Sequence, residues 1–206
     1  RPRPSLRRAR RGAGHQLALG DGLHRDVADI GARRHAERDV VAGLNHVLAL
    51  GFIDPERLAI AGWSYGGYLT ARGITQPEGA VFKAAIVGAG ITNIFARGGA
   101  AGGWAANHWG DPKAMWTEPH TFFDRSPIAH VKNVRAATLL LHGDNDAKVP
   151  HGQAVEFFTA LRGLGVTTEA RLYPGEGHGI GRRDHRIDLL HSIARWLKTH
   201  VPPGAQ

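Results

Sequence analysis

The sequence has no cysteine among its 206 residues. Its fold can therefore depend on neither disulfide bonds nor thiolate metal ligands. No apolar run approaches the roughly 20 residues that a membrane-spanning helix needs, and the arginine-rich N-terminus lacks the apolar stretch of a signal peptide. These absences exclude a disulfide-stabilised scaffold, predict no membrane partner and favour a cytoplasmic location.

Patterns for bound metals and phosphates are missing as well. No spacing of histidines and carboxylates is typical of a metal site, and no glycine-rich loop fits phosphate binding. The sequence therefore predicts chemistry that needs neither a metal ion nor a cofactor.

The positive charge is concentrated at the N-terminus. Of the formal net charge of +8, residues 1–38 contribute +6 and residues 39–206 contribute +2. A nucleic-acid-binding domain carries its charge on a face of the folded body, so this distribution predicts no nucleic-acid partner. We interpret residues 1–28 as a basic, poorly structured arm and residues 29–206 as one folded domain.

Apolar runs alternate with amphipathic stretches along the domain. The predicted strands are 58–61, 81–87, 138–142 and 170–173, and the predicted helices are 36–50, 64–72, 153–164 and 187–200. Each strand is an apolar run rather than an alternation, which indicates an α/β fold with a mostly parallel sheet covered by helices on both faces. Catalytic groups then belong in the loops after the strands.

Further expectations concern two helices and one connection. The helix 153–164 is predicted to turn Val155, Phe158 and Leu161 inward. The last helix is predicted to bury Leu190, Ile193, Trp196 and Leu197. Residues 91–127 form a long, irregular connection, whose tryptophans (Trp104, Trp109 and Trp116) either line an apolar pocket or pin the connection to the core.

The segment Gly62-Trp63-Ser64-Tyr65-Gly66 matches the G-x-S-x-G pattern of a nucleophile elbow. A sharp turn between strand and helix lifts the Ser64 hydroxyl out of the packing, and the pattern predicts that neither Gly62 nor Gly66 can carry a Cβ. The backbone N–H of Tyr65 is expected to stabilise an oxyanion at this serine. The alternative is a glycine-rich turn with an unreactive serine.

An acid and a base follow in the order that this architecture requires. Asp144 and Asp146 both come after the strand 138–142, and His178 comes after the strand 170–173. Position alone leaves either aspartate as the acid, and both could instead cap turns. His142, just before them, is expected to pack or hydrogen-bond rather than react. Ser64 is thus the predicted nucleophile and His178 the predicted base.

The motifs resemble the catalytic domain of the prolyl oligopeptidase family of serine peptidases, in its acylaminoacyl-peptidase and dipeptidyl-peptidase-like branch. The resemblance runs from about residue 29 to residue 200. It is carried by the segments 54–58 (Asp-Pro-Glu-Arg-Leu), 62–68 (Gly-Trp-Ser-Tyr-Gly-Gly-Tyr), 89–93, 125–128, 141–150 and 173–179. It implies an α/β-hydrolase fold, short peptides as substrates, a preceding β-propeller and Asp146 as the acid.

The sequence also departs from the family pattern. It contains no propeller, no His-Gly-Gly-Pro-like segment and no apolar strand within residues 1–35. We therefore expect an N-terminally truncated domain that lacks its first strands and its second oxyanion donor. The predicted function is a serine-type peptidase that works through an acyl-enzyme intermediate. The alternatives are a carboxylesterase-like acyl hydrolase on the same fold and an inactive peptidase fragment.

Overall fold

A computed structural model describes residues 36–100 and 113–202 of the chain. At its centre is a four-stranded sheet, in which all neighbouring strands are parallel and the spatial order is the chain order. The strands are β1 (Leu58–Trp63), β2 (Phe82–Gly88), β3 (Ala137–Gly143) and β4 (Thr168–Tyr173). All four predicted strands are present within two residues of their predicted bounds. The predicted arm, residues 1–28, and the predicted domain start at residue 29 lie outside the described residues.

The helices of the described residues are, in chain order, α1 (Ala36–Ala49), α2 (Tyr65–Thr75), α3 (Ile94–Ala100), α4 (Ala114–Thr117), α5 (Pro119–Asp124), α6 (Gly152–Gly163) and α7 (Arg183–His200). Two 3₁₀ segments, Pro77–Val81 and Pro127–Asn133, complete the connections. None of these helices is long and apolar enough to cross a membrane.

The connection 91–127 is more regular than the sequence predicts, because its described part is largely helical. The first turn of α3 is capped by side chains: Ser126 Oγ accepts the N–H of Ile94 at 2.9 Å, and Asn93 Oδ1 accepts that of Ala96 at 3.0 Å. Helices this short show no clear periodicity and are stabilised by capping and tertiary contacts. The expectation of an irregular segment was therefore wrong for these residues.

Helices cover both faces of the sheet. Crossovers of the same hand between parallel strands place their helices on the same face of the sheet. Accordingly, side chains of α2 and α6 pack in one core cluster with Leu140 of β3. Leu139 and Leu141 point to the opposite face, because side chains alternate along a strand. There they pack with Trp196 of α7 in a separate cluster. The predicted two-sided α/β architecture is confirmed.

The orientation of α6 differs from the prediction. Ala154, Phe157 and Leu161 are buried, whereas Val155 is 43% exposed and Phe158 is only partly buried. Apolar residues occupy a wide stripe of this helix, so that its periodicity fits two neighbouring orientations, both of which turn Leu161 inward. Packing against the sheet selects the one that buries the Phe157 ring.

The same kind of correction applies to α7. Trp196 is buried, and Ile193 and Leu197 pack against the core as predicted. Leu190 is 62% exposed, however, and Leu189 takes the inward position instead. Leu189, Ile193 and Trp196 are spaced by four and three residues and lie on one helix face, from which Leu190 is one step removed.

The orientation of α6 can be tested by a matched pair of substitutions. Phe157→Ala removes a completely buried ring and is expected to lower the free energy of unfolding by about 3–5 kcal/mol. Val155→Ala, on the half-exposed side, is expected to change it by less than about 1 kcal/mol. Urea unfolding followed by circular dichroism measures both. Equal losses would contradict the observed orientation.

Candidate active site

Ser64 is the single residue between the end of β1 at Trp63 and the start of α2 at Tyr65. Its φ is 60° and its ψ is −118°, a backbone conformation that costs a residue with a Cβ about 1–3 kcal/mol. Two hydrogen bonds hold it there. The Ser64 N–H donates to the Gly88 carbonyl of β2 at 2.8 Å, and the Ser64 carbonyl accepts the Tyr68 N–H at 3.0 Å. The predicted sharp turn between strand and helix is therefore present.

Close backbone contacts around the turn explain two of its glycines. A Cβ on Gly62 would lie 2.2 Å from the Gly66 carbonyl oxygen, and a Cβ on Gly67 would lie 2.5 Å from the Gly88 carbonyl oxygen. A Cβ on Gly66 would meet nothing within 4 Å. The prediction is thus confirmed for Gly62 and wrong for Gly66, because the space into which a Cβ on Gly66 would project is open.

The structure brings Ser64, His178 and Asp146 into one hydrogen-bonded chain. His178 Nε2 lies 2.7 Å from Ser64 Oγ, and His178 Nδ1 lies 2.7 Å from Asp146 Oδ2. The Asp146 side chain is fully buried, whereas 22% of the His178 side chain is exposed. A nucleophile, a base and an acid in hydrogen-bond contact are the arrangement that nucleophilic catalysis requires.

The surroundings of Asp146 determine which ring nitrogen of His178 carries the proton. Asp146 Oδ1 accepts the backbone N–H groups of Lys148 and Val149 at 2.8 Å and 2.9 Å. An ionised carboxylate only accepts hydrogen bonds, so His178 Nδ1 donates to Oδ2. The lone pair of Nε2 is then directed at the Ser64 hydroxyl, which is the tautomer that a general base needs.

Two further side chains lie near the acid. His142 is completely buried; its Nε2 lies 2.8 Å from the Val149 carbonyl oxygen and 3.4 Å from Asp146 Oδ2. Burial lowers the pKa of His142 below its ordinary value, so the neutral ring donates through Nε2. Burial also lowers the pKa of Arg97, while the nearby Asp146 carboxylate opposes that shift, and the guanidinium remains a cation. The Arg97 cation therefore attracts the Asp146 carboxylate, whereas the single Nε2–H of neutral His142 is directed to the Val149 carbonyl.

Asp144, the other candidate acid, makes a different contact. Its side chain lies in an exposed part of the loop, and Oδ1 accepts the Gly175 N–H at 2.6 Å. It therefore links the loop after β3 to the loop after β4 and makes no hydrogen bond to His178. Turn capping, the alternative role considered for these aspartates, is seen at Asp146, whose Oδ1 accepts the Lys148 N–H two residues on, and not at Asp144.

Sequence reasoning missed two residues that hold the His178 backbone in place. The Trp63 indole Nε1–H donates to the His178 carbonyl oxygen at 2.8 Å, although Trp63 occupies an unspecified position of the G-x-S-x-G pattern. Glu176, two residues before His178, is buried and accepts hydrogen bonds from the segment that follows. A buried charged residue in a glycine-rich loop has no sequence pattern of its own, and only the structure identifies it.

Tyr65 opens α2 directly beside the Ser64 hydroxyl. The first N–H groups of a helix point away from its body and carry the positive end of its dipole. The position of Tyr65 is therefore compatible with the predicted oxyanion donor. Residues 36–100 and 113–202 contain no group of three or more His, Cys, Asp or Glu side chains that could hold a metal ion.

Of the three tryptophans of the connection, Trp116 lies within the described residues. Trp116 is 67% exposed and contacts Phe95 edge-on, with ring centroids 5.9 Å apart. Trp104 and Trp109 lie outside the described residues. Trp116 therefore does not pin the connection to the core in the way that the sequence suggested as one alternative.

Comparison with known proteins gives consistent matches. The chain is similar to an uncharacterized peptidase, YuxL, of Bacillus subtilis, with 33% identity over 153 residues that cover 72% of this chain and 23% of that protein. It is also 30% identical over 173 residues to acylamino-acid-releasing enzyme 1 of Oryza sativa subsp. japonica, covering 79% of this chain and 22% of that enzyme. The chain thus spans less than a quarter of the length of these curated relatives.

The fold has close counterparts among solved structures. The acylaminoacyl peptidase of Pyrococcus horikoshii superposes with a TM-score of 0.78 at 26% identity, over 90% of this chain and 31% of that one. A puromycin-hydrolyzing peptidase of Mycobacterium tuberculosis superposes with a TM-score of 0.73 at 28% identity, over 80% and 25%. The profile of the prolyl oligopeptidase family matches residues 25–203. Since that match covers most of the sequence, the chain belongs to the prolyl oligopeptidase family and has an α/β-hydrolase fold.

Proposed function

We propose that the chain carries the catalytic triad of a serine peptidase, with Ser64 as nucleophile, His178 as general base and Asp146 as the acid that orients the imidazole. The observation that carries this proposal is the continuous hydrogen-bonded chain from Ser64 Oγ through both ring nitrogens of His178 to Asp146 Oδ2, with two contacts of 2.7 Å. Membership of a peptidase family supports it independently.

The reaction follows from these positions. His178 Nε2 takes the Ser64 hydroxyl proton as Oγ attacks the carbonyl carbon of the substrate, and the resulting imidazolium is stabilised by Asp146. The same proton passes to the leaving amine when the carbon–nitrogen bond breaks, which leaves an acyl group on Ser64. Water, deprotonated by Nε2, then attacks the ester, and the returned proton restores the hydroxyl as the acid product leaves.

The Tyr65 N–H is the proposed oxyanion donor from this part of the chain. It would bind the oxygen that becomes negatively charged in the tetrahedral intermediate, because it belongs to the first turn of the helix that follows Ser64. A single donor of this kind typically contributes about 10²–10³ in turnover. A second donor from elsewhere in the polypeptide would contribute a comparable factor.

We propose short peptides as the substrate class. Several relatives are named acylamino-acid-releasing enzymes, and an acylaminoacyl peptidase of similar fold has been solved in complex with Z-Gly-Gly-Phe-chloromethyl ketone, a blocked peptide derivative. Because the chain spans less than a quarter of its curated relatives, the β-propeller that the family resemblance implies is proposed as a partner domain in the full-length protein.

Substitution of the two aspartates tests the proposed triad. Asp146→Asn is expected to lower the rate of Ser64 labelling by a fluorophosphonate probe about 10³–10⁴-fold, because it removes the carboxylate that fixes the His178 tautomer. Asp144→Asn, in the same loop but without contact to His178, is expected to lower it less than tenfold. Labelling is followed by mass spectrometry, with Ser64→Ala as the unlabelled control. Equal effects of the two aspartate substitutions would contradict the assignment of the acid.

A separate experiment distinguishes amide substrates from ester substrates. We expect hydrolysis of N-acetylated aminoacyl 4-nitroanilides, because His178 is placed to protonate a leaving amine, and Ser64→Ala is expected to abolish it. Hydrolysis of 4-nitrophenyl esters with no amide cleavage would favour a carboxylesterase. Hydrolytic rates that are unchanged by Ser64→Ala would indicate a non-catalytic domain.

A further inference from the structure

Glu176 is a buried carboxylate two residues before His178, and only 7% of its side chain is exposed. Its Oε2 accepts the backbone N–H of Gly181 at 2.8 Å, and its Oε1 accepts that of Arg182 at 2.9 Å. The ring of His185 adds a third contact, with Nδ1 2.8 Å from Oε1. Both oxygens are therefore engaged, and all three partners belong to the segment that follows His178.

These bonds close a loop around His178. The contact with Gly181 joins the two ends of the segment 176–181, and those with Arg182 and His185 join it to the start of α7. Helix α7 is in turn fixed to the sheet, because Trp196 is buried against β3 and donates to the Ala137 carbonyl at 3.2 Å. One carboxylate thereby links the loop to a helix that is itself fixed to the sheet.

The backbone of Glu176 connects the same loop to the acid. Its carbonyl oxygen accepts the N–H of Asn145, the neighbour of Asp146, at 2.9 Å, and its N–H donates to the Tyr173 carbonyl at 3.2 Å. Glu176 thus contacts the end of β4, the loop that carries Asp146 and the start of α7. No other residue in the described loop makes polar contacts with all three.

The loop itself has little intrinsic rigidity. Glycine occupies positions 175, 177, 179 and 181, so that His178 has a glycine on each side. Glycine loses more conformational freedom on ordering than any other residue. A loop of this composition depends on contacts by its few other side chains. The hydrogen bonds with Gly181 and Arg182, and then that with His185, hold the pKa of Glu176 below its ordinary value, so the carboxylate is ionised at neutral pH and accepts all three.

We propose that Glu176 is a positioning residue for His178: its carboxylate fixes the loop 176–181 so that both imidazole nitrogens stay within hydrogen-bond reach of Ser64 and Asp146. The expected effect of Glu176 on turnover rests on the proposed function. Its effect on the geometry of His178 is independent of any activity. Trp63 donates a hydrogen bond to the His178 carbonyl oxygen and so restrains one backbone atom of the loop independently of Glu176.

The test compares Glu176→Ala and Glu176→Gln with Asp184→Asn as the matched control. Asp184 lies in the first turn of α7 and pairs with the exposed side chain of Arg182, whereas Glu176 binds the backbone N–H of that residue. Its substitution therefore removes a negative charge at the same helix end without removing a bond of Glu176. Glu176→Gln keeps the size of the side chain but has one acceptor oxygen in place of two. Circular dichroism and thermal unfolding identify any variant that fails to fold.

Two readouts are measured on each variant. The first is kcat and KM for the peptide anilide that the wild type cleaves. Glu176→Ala is expected to lower kcat about 10²-fold, as a misplaced catalytic group does, with KM unchanged; Glu176→Gln is expected to give a smaller loss and Asp184→Asn none. The second is the downfield proton resonance of the His178 Nδ1–H in protein with ¹⁵N-labelled histidine, which reports the charge-assisted bond to Asp146 and is assigned by its loss in Asp146→Asn.

The resonance is expected to move upfield or disappear in Glu176→Ala, to weaken in Glu176→Gln and to persist in Asp184→Asn. A folded Glu176→Ala variant that keeps both this resonance and its kcat would overturn the proposal and leave Glu176 a purely stabilising role. If Glu176→Ala does not fold, the Glu176→Gln variant decides in the same way. A wild type without hydrolytic activity would count against the proposed function alone, because the resonance still tests Glu176.

Discussion

The parallel pairing of the strands is the constraint on which the site depends. It brings the carboxyl ends of β1, β3 and β4 to one edge of the sheet, with Trp63 opposite Gly88, Gly88 opposite Leu141 and Gly143 opposite Tyr173. Ser64, Asp146 and His178 follow those ends by one, three and five residues. A slip of one residue in any pairing would turn the side chains of that strand to the other face. The two apolar clusters therefore also secure the register on which the triad depends.

Carboxylates organise the loops that the sheet alone does not order. Asp146, Asp144 and Glu176 each accept at least one backbone N–H from the loops beyond β3 and β4. Because buried polar groups lose their hydration, they remain stable only where such partners exist. The same bonds that compensate the burial of Asp146 orient this proposed acid, and those that compensate Glu176 close the loop that contains His178. The hydrogen bonds that stabilise these loops are thus the same bonds on which the proposed function depends.

The elbow shows how strain is kept at a functional position. Ser64 adopts a backbone conformation that is unfavourable for a residue with a Cβ. The contacts around Ser64 hold it in that conformation. Its N–H is bonded to β2, its carbonyl opens α2, and Gly62 and Gly67 allow backbone contacts that any Cβ would prevent. The backbone thus holds Ser64 at the edge of the sheet, where its hydroxyl meets His178 Nε2.

Local patterns in the sequence determined the strands, the longer helices and the Ser-Asp-His order, because apolar runs, helical spacing and the elbow motif are properties of short segments. The tertiary structure decided what depends on distant contacts. His178 meets Ser64 across 114 positions and Trp63 across 115. Position along the chain left both aspartates open and only the family resemblance favoured Asp146; the structure places Asp146, 32 positions away, against the imidazole. The inward face of α6 and the open space at Gly66 were likewise decided by packing. The role proposed for Glu176 rests on hydrogen bonds between separate segments, which no local pattern encodes.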